Sequence, residues 1–150
     1  MNNFTDKFNN NLFLHHSTKK DILELLISLI TYGHETNMWN HKIIQLVNAL
    51  ISVLDEKRAN NEIILNTESL AFYLDLKNLI ELYKDNKNLS TVKEDLHSYL
   101  FSLPQLNIED DIIAELPLEQ HQYISSEIIK VLKIVKQIEN MHNEIMVKDK

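Results

Sequence analysis

Residues 38–54, MWNHKIIQLVNALISVL, decide the fold class. Trp39, Ile43, Leu46, Val47, Leu50, Ile51 and Leu54 recur every three or four residues, the spacing that gathers apolar side chains on one face of an α-helix and that a strand, with its period of two, cannot use. A helix from Met38 to about Lys57 follows. Upstream, Thr18 and Asp21 have the spacing of a capping pair ahead of Ile22, Leu25, Leu26, Leu29 and Ile30, and Gly33 is placed to end that helix with a left-handed cap. Downstream, residues 59–66 are a connection, and the short apolar run Ile63, Ile64, Leu65 is left between an extended segment and a buried loop. Thr67 is read as the cap of a short helix through Leu74, and Asp75 as the cap of another carrying Leu76, Leu79, Ile80 and Tyr83 on one face. Thr91 and Glu94 have capping-box spacing before Leu96, Tyr99, Leu100 and Leu103, and Pro104 stops that helix by removing a backbone donor. Pro117 suits the first turn of a last and longest helix, whose stripe of Ile124, Ile128, Val131, Leu132, Val135 and Ile138 runs to about Met141.

The expectation is an all-α, compact irregular bundle of about six to seven helices. An extended lead-in over 1–16, with Phe4, Phe8 and Phe13 among asparagines, precedes an all-α domain over 17–145, and 146–150 form a tail. One glycine and two prolines leave little means of making the tight turns of an all-β fold. No strict heptad is sustained, which argues against a long coiled coil. At 150 residues the chain is one domain with one core.

With 22 acidic and 15 basic residues the net charge is −7, and Arg58 is the only arginine. Duplex DNA binding draws most of its affinity from neutralised phosphates, and guanine reading is mostly arginine chemistry, so both counts disfavour a sequence-reading DNA domain. No cysteine is present, which removes disulfides, thiolate metal sites and thiol nucleophiles. No apolar run approaches the ~20 residues of a membrane span, and no signal peptide is expected.

Chemistry-bearing motifs are scarce. A single glycine cannot make a phosphate-binding loop, so no nucleotide cofactor is expected in this chain. His34 and Glu35 begin the HExxH pattern, but Met38 stands at the second ligand position, and no metal is expected. His121, Ser125, Glu119 and Glu127 have the residue types of a catalytic triad without a strained turn or oxyanion cradle, and the plainer reading is a solvated helix face. The loop acids Glu109, Asp110 and Asp111, and Glu119, Gln120 and His121 beyond them, are the candidate partner-contact residues. Trp39 is read as core before hot spot.

The quoted stretch, the segment SLPQL at 102–106 and the run EQHQY at 119–123 together resemble the all-alpha domain of type IV secretion and conjugation coupling ATPases, the TraD/DotL-like class. That family has a Met-Trp pair opening a long helix, here Met38 and Trp39, and a helix ending in Ser-Leu-Pro-Gly, here through Leu103 and Pro104. It then has Glu-Gln-His-Gly-Tyr opening another helix, here Glu119, Gln120, His121 and Tyr123. A Tyr-Leu-x-Leu segment at Tyr73 to Leu76 also resembles the family, and the likeness covers roughly residues 10–145. The chain departs from the pattern at Gln105 and Gln122, where the family has glycine, and in having only Gly33 before Met38.

The resemblance implies a domain that sits on the cytoplasmic side of the bacterial inner membrane, without touching the membrane itself, as part of a hexameric motor that uses ATP and Mg and whose Walker motifs lie in flanking sequence. It implies partners as well: secretion substrates, adaptor or relaxosome proteins, which the domain receives and passes to the motor. This chain would itself be no enzyme, would not hydrolyse ATP, and would be monomeric or weakly associating. Two other functions are weighed: direct DNA binding, with Lys130, Lys133 and Lys136 on one side of the last helix, and a free-standing acidic helical secretion chaperone.

Overall fold

The computed structural model describes residues 13–32, 38–85 and 90–148; within these, the side chains of 38, 39, 90–92, 143 and 145–148 are outside the description. Among the described residues there are six helices and no strand: α1 Lys19–Thr31, α2 Met38–Ala59, α3 Thr67–Leu74, α4 Leu76–Asp85, α5 Ser90–Phe101 and α6 Glu115–Lys148. The all-α expectation holds.

Helix α2 is the hub, packed against α1, α5 and α6, while α6 also reaches α1, α3 and α4. The reason is in the stripe: Ile43, Leu46, Val47, Leu50, Ile51 and Leu54 are all buried, and Ala49 and Val53 widen the apolar sector so that the helix can be covered on several sides. Leu26 and Ile30 of α1, Leu96, Tyr99 and Leu100 of α5, and Ile124, Ile128, Val131 and Val135 of α6 complete one continuous core. No helix among the described residues is long and apolar enough to cross a membrane.

The caps follow local chemistry, with some shifts from expectation. Thr18 caps α1, its hydroxyl accepting from the Asp21 amide at 3.1 Å. Gly33 lies outside the described residues. The cap of α3 is Asn66 rather than Thr67: Asn66 Oδ1 accepts from the Ser69 amide at 2.8 Å and Ser69 Oγ accepts from the Asn66 amide at 3.0 Å, a reciprocal box that leaves Thr67 as the first helical residue. Asp75 does cap α4, through Asn78 N at 3.4 Å. Helix α5 already begins at Ser90, so Thr91 lies within it. Helix α6 runs to Lys148, past both Met141 and the boundary set at residue 146, and its 34 residues make it the longest.

Of the lead-in expected over 1–16, residues 1–12, Phe4 and Phe8 among them, lie outside the described residues, and 13–16 form a turn with Leu14 wholly buried. Arg58 explains the turn. Its Nη1 donates to the carbonyls of Leu14 (3.2 Å), His15 (3.1 Å) and Ser17 (2.6 Å), while Nη2 pairs with Asp55. The sole arginine therefore fastens the chain entering α1 to the end of α2, using a fork geometry that lysine lacks. Helix α2 ends in a Schellman motif, with Glu62 N on Lys57 O (2.9 Å), Asn61 N on Arg58 O (3.0 Å), and Asn61 left-handed at φ 60. The run after it, through Ile63 and Ile64 to Leu65, takes no regular structure, and Leu65 is buried.

Candidate docking surface

Chain direction reverses between α5 and α6. Leu103, Pro104, Gln105 and Leu106 form a β-turn closed by Leu106 N on Leu103 O at 3.3 Å, with Pro104 at its second position and Gln105 at φ 64 at its third. The third position of a type II turn requires positive φ and favours glycine. The turn is thus made even though Gln105 stands where the resembling family has glycine.

Beyond it, Asn107 organises the next loop: its Oδ1 accepts from Glu109 N at 3.0 Å, its Nδ2 donates to Asp110 Oδ1 at 3.3 Å, and its carbonyl accepts from Asp110 N at 3.2 Å. Leu106, Ile108 and Ile113 pack against the core and anchor the loop. Glu109, Asp110 and Asp111 are therefore held outward and exposed, with Ile112 beside them 85% exposed. A groove of about 320 Å³ separates this loop from α4, with Ile80, Ile108 and Ile113 in its lining, Asp110 and Asp111 on one wall, and Lys77 and Lys84 on the other.

Ala114 O receives the first helical bond of α6 from Leu118 N at 3.3 Å, so Pro117 lies in the first turn, where a missing N–H costs no bond. Glu115 and Glu119 are exposed here. Their charge is favoured by the amino-terminal end of the helix dipole, which accounts for them without a partner. The same cannot be said of the loop acids.

His121 is placed differently from the contact residues it was grouped with. It is 1% exposed, and both ring nitrogens are engaged: Nε2 with the Leu74 carbonyl at 2.5 Å and Nδ1 with the Tyr99 hydroxyl at 2.7 Å. A carbonyl can only accept, so Nε2 carries the proton and Nδ1 accepts from the phenol. Burial holds the imidazole below its usual value, partly offset by the Leu74 carbonyl and by Asp75. Burial likewise pushes the Tyr99 phenol up. His121 is thus a joint tying α6 to the end of α3 and to α5, and its ring is not available at the surface. Nor does it serve a triad: Ser125 Oγ donates to the Gln122 carbonyl at 3.3 Å, one turn back on its own helix. Among the described residues no group of three or more His, Asp or Glu could hold a metal ion.

Of the remaining motif positions, Met38 and Trp39 open α2, and Tyr123 of α6 lines a cleft of about 310 Å³ together with Asn40 and Ile43 of α2, Leu29 and Ile30 of α1, and Tyr32 at the end of α1. Tyr32 and Tyr123 stand at 84% and 50% exposure. Leu103 is buried and Pro104 exposed in the turn after α5. Of the other candidate contacts, Glu119 is exposed and Gln120 half-buried.

The lysine row on α6 is less cationic than its spacing suggests. Lys130 donates to Glu127 at 3.0 Å and Lys136 pairs with Glu68 of α3. Two features had no counterpart in the sequence reading. Glu139 is wholly buried with neither carboxylate oxygen hydrogen-bonded. Among the described side chains of α6, the large exposed apolar residues also share one line, a pattern that their spacing in the sequence already carries. The chain matches no family model, no curated protein and no solved structure.

Proposed function

We propose that the chain is a docking domain of a type IV secretion coupling ATPase, receiving adaptor, relaxosome or secreted proteins for a motor encoded in flanking sequence. The observation that carries this reading is the loop before α6. It is anchored from below by Leu106, Ile108 and Ile113, organised by Asn107, and yet presents Glu109, Asp110, Asp111 and an almost fully exposed Ile112 to solvent. An ordered loop that holds carboxylates and a large aliphatic outward suits a protein partner, since scaffolded loops are where binding residues concentrate and an apolar side chain gains only when covered. The order of the three motifs supplies the particular family. The motor, its ATP and Mg, and the membrane anchor belong on this reading to the parent protein, and the chain alone does not turn over ATP.

DNA binding is the weaker reading, because Lys130 and Lys136 each already face a carboxylate and the chain carries −7 overall. Calorimetric titration of the chain with each adaptor and relaxosome protein encoded beside its gene tests the proposal. Binding that weakens when Ile112 is changed to Ser is expected; indifference to all of them overturns it, as would flanking sequence without Walker motifs.

A further inference from the structure

Helix α6 carries two apolar faces. One closes the core. The other consists of Leu116, Tyr123, Ile134 and Met141, exposed at 40%, 50%, 44% and 62%. Their separations of seven, eleven and seven residues are close to two, three and two whole turns at about 3.6 residues per turn, so the four side chains fall on one line parallel to the helix axis. At about 1.5 Å per residue that line is roughly 38 Å long. Scattered exposed apolar residues need no explanation, but four on one line over most of a 34-residue helix form a seam, crossed between Tyr123 and Ile134 by the Lys130–Glu127 ion pair. The cleft between α1 and α6 flanks it, with Tyr32 on the far rim.

We propose that this outer face of α6 is a rail for an amphipathic helix of a partner protein, basic at the end that lies over the acidic loop. The inference rests on reading the chain as a docking domain and specifies the kind of partner. A helix is the occupant because its apolar positions can repeat at the same whole-turn spacings along the full rail. Charge sets the direction. Exposed Glu109, Asp110, Asp111, Glu115 and Glu119 outnumber Lys77 and Lys84 across the groove near the Leu116 end, whereas toward Met141 the exposed Lys133 and Glu144 offset each other, so a helix with lysines or arginines at one end docks in one orientation. A second copy of this chain is disfavoured as the occupant, since pairing would bring two net charges of −7 together.

The test uses a fluorescein-labelled synthetic helix of about 26 residues with leucines at the matching whole-turn spacings and a lysine-rich end, beside a version with those lysines replaced by glutamate. Anisotropy titrations of the full chain should show binding of the lysine peptide, weakened about tenfold or more by Ile134→Ser with Met141→Ser, and tighter as salt falls. Asp110→Asn with Asp111→Asn and Glu119→Gln should erase the preference for the lysine peptide while the chain still melts cooperatively, with only the small loss that the helix dipole implies. Leu116→Ser gives an independent rail variant. Equal binding of both peptides to the wild-type chain, or rail variants that bind as the wild type does, would overturn the rail. So would a wild-type dimer in light scattering that the rail variants dissolve, because a second copy would then cover the face. A neighbouring-gene adaptor that binds rail variants unimpaired overturns the rail and leaves the docking function standing; failure of every adaptor while the lysine peptide binds removes the function and leaves the rail.

Discussion

His121 shows how one side chain carries both packing and pH response. Burial favours the neutral ring, in which Nε2 donates to the Leu74 carbonyl and Nδ1 accepts from Tyr99. Truncation by His121→Ala strands a buried carbonyl and a buried phenol and opens a cavity, so urea denaturation should show a loss of about 3 kcal/mol, against about 1 kcal/mol for Tyr99→Phe. The pH dependence has a fixed sign. The folded-state value lies below the ordinary 6.5; between the two the unfolded chain binds more protons. Stability is then fully present above about pH 6.5 and lost as pH falls toward the folded value. His15 adds to the same slope: burial, then His16 and Arg58, lowers it, and its Nδ1 accepts from the Leu65 amide at 3.1 Å. Wild-type melts should fall between pH 7 and 5, and His121→Ala should flatten that fall; an unchanged slope contradicts the joint. Gln105 offers the opposite experiment. A non-glycine residue at φ 64 costs about 1 kcal/mol or more, partly balanced by the freedom glycine has when unfolded, so Gln105→Gly should raise stability by about 0.5 kcal/mol in the same assay.

Helix α6 spans core, the proposed docking face and a buried acid. Both oxygens of Glu139 lack hydrogen bonds, and burial raises its carboxyl above the usual value, with Lys136 pulling the other way. For a carboxyl raised on folding, the folded chain holds the proton more tightly. Its contribution is therefore most favourable below about pH 4.5 and is lost as pH rises through the folded value. Replacing it by Met should stabilise the protein by about 1–2 kcal/mol at pH 7 and by less at pH 4.5 in denaturant titrations. A loss at pH 7 would mean that Glu139 has a partner. The sequence made most of this helix legible, because Ile124, Ile128, Val131 and Val135 repeat at core spacing. Glu139 was not, since an acid in the core sector breaks the pattern without announcing where it points. The cap of α3 moved by one residue from Thr67 to Asn66 because adjacent polar residues compete for the same orphan amides.

For the molecule as a whole, hydrophobic period alone was enough to read an all-α bundle, since six amphipathic segments leave only helix packing as a way to bury their stripes. The exposure of the proposed contact residues was half legible. Glu109, Asp110 and Asp111 stand outward because their loop hangs from Leu106, Ile108 and Ile113. His121, three residues from Leu118, could not be told from its exposed neighbours without knowing that Tyr99 and the end of α3 meet there. Likewise the single arginine was legible as scarce DNA chemistry but not as a clamp on three carbonyls, because those acceptors lie more than forty residues away in the chain.

That the chain receives proteins, not nucleic acid, through its acidic loop and the outer face of α6 is tested most directly by amide NMR of the labelled full chain. Two titrations are compared at the same low salt: one with adaptor and relaxosome proteins encoded beside its gene, one with a short DNA duplex. The account predicts that at least one protein shifts resonances at Glu109 to Ile112 and along Leu116, Tyr123, Ile134 and Met141, and that DNA leaves the spectrum unchanged. Shifts driven by DNA at Lys130, Lys133 and Lys136, with the acidic loop and the outer face of α6 silent to every protein, would contradict it.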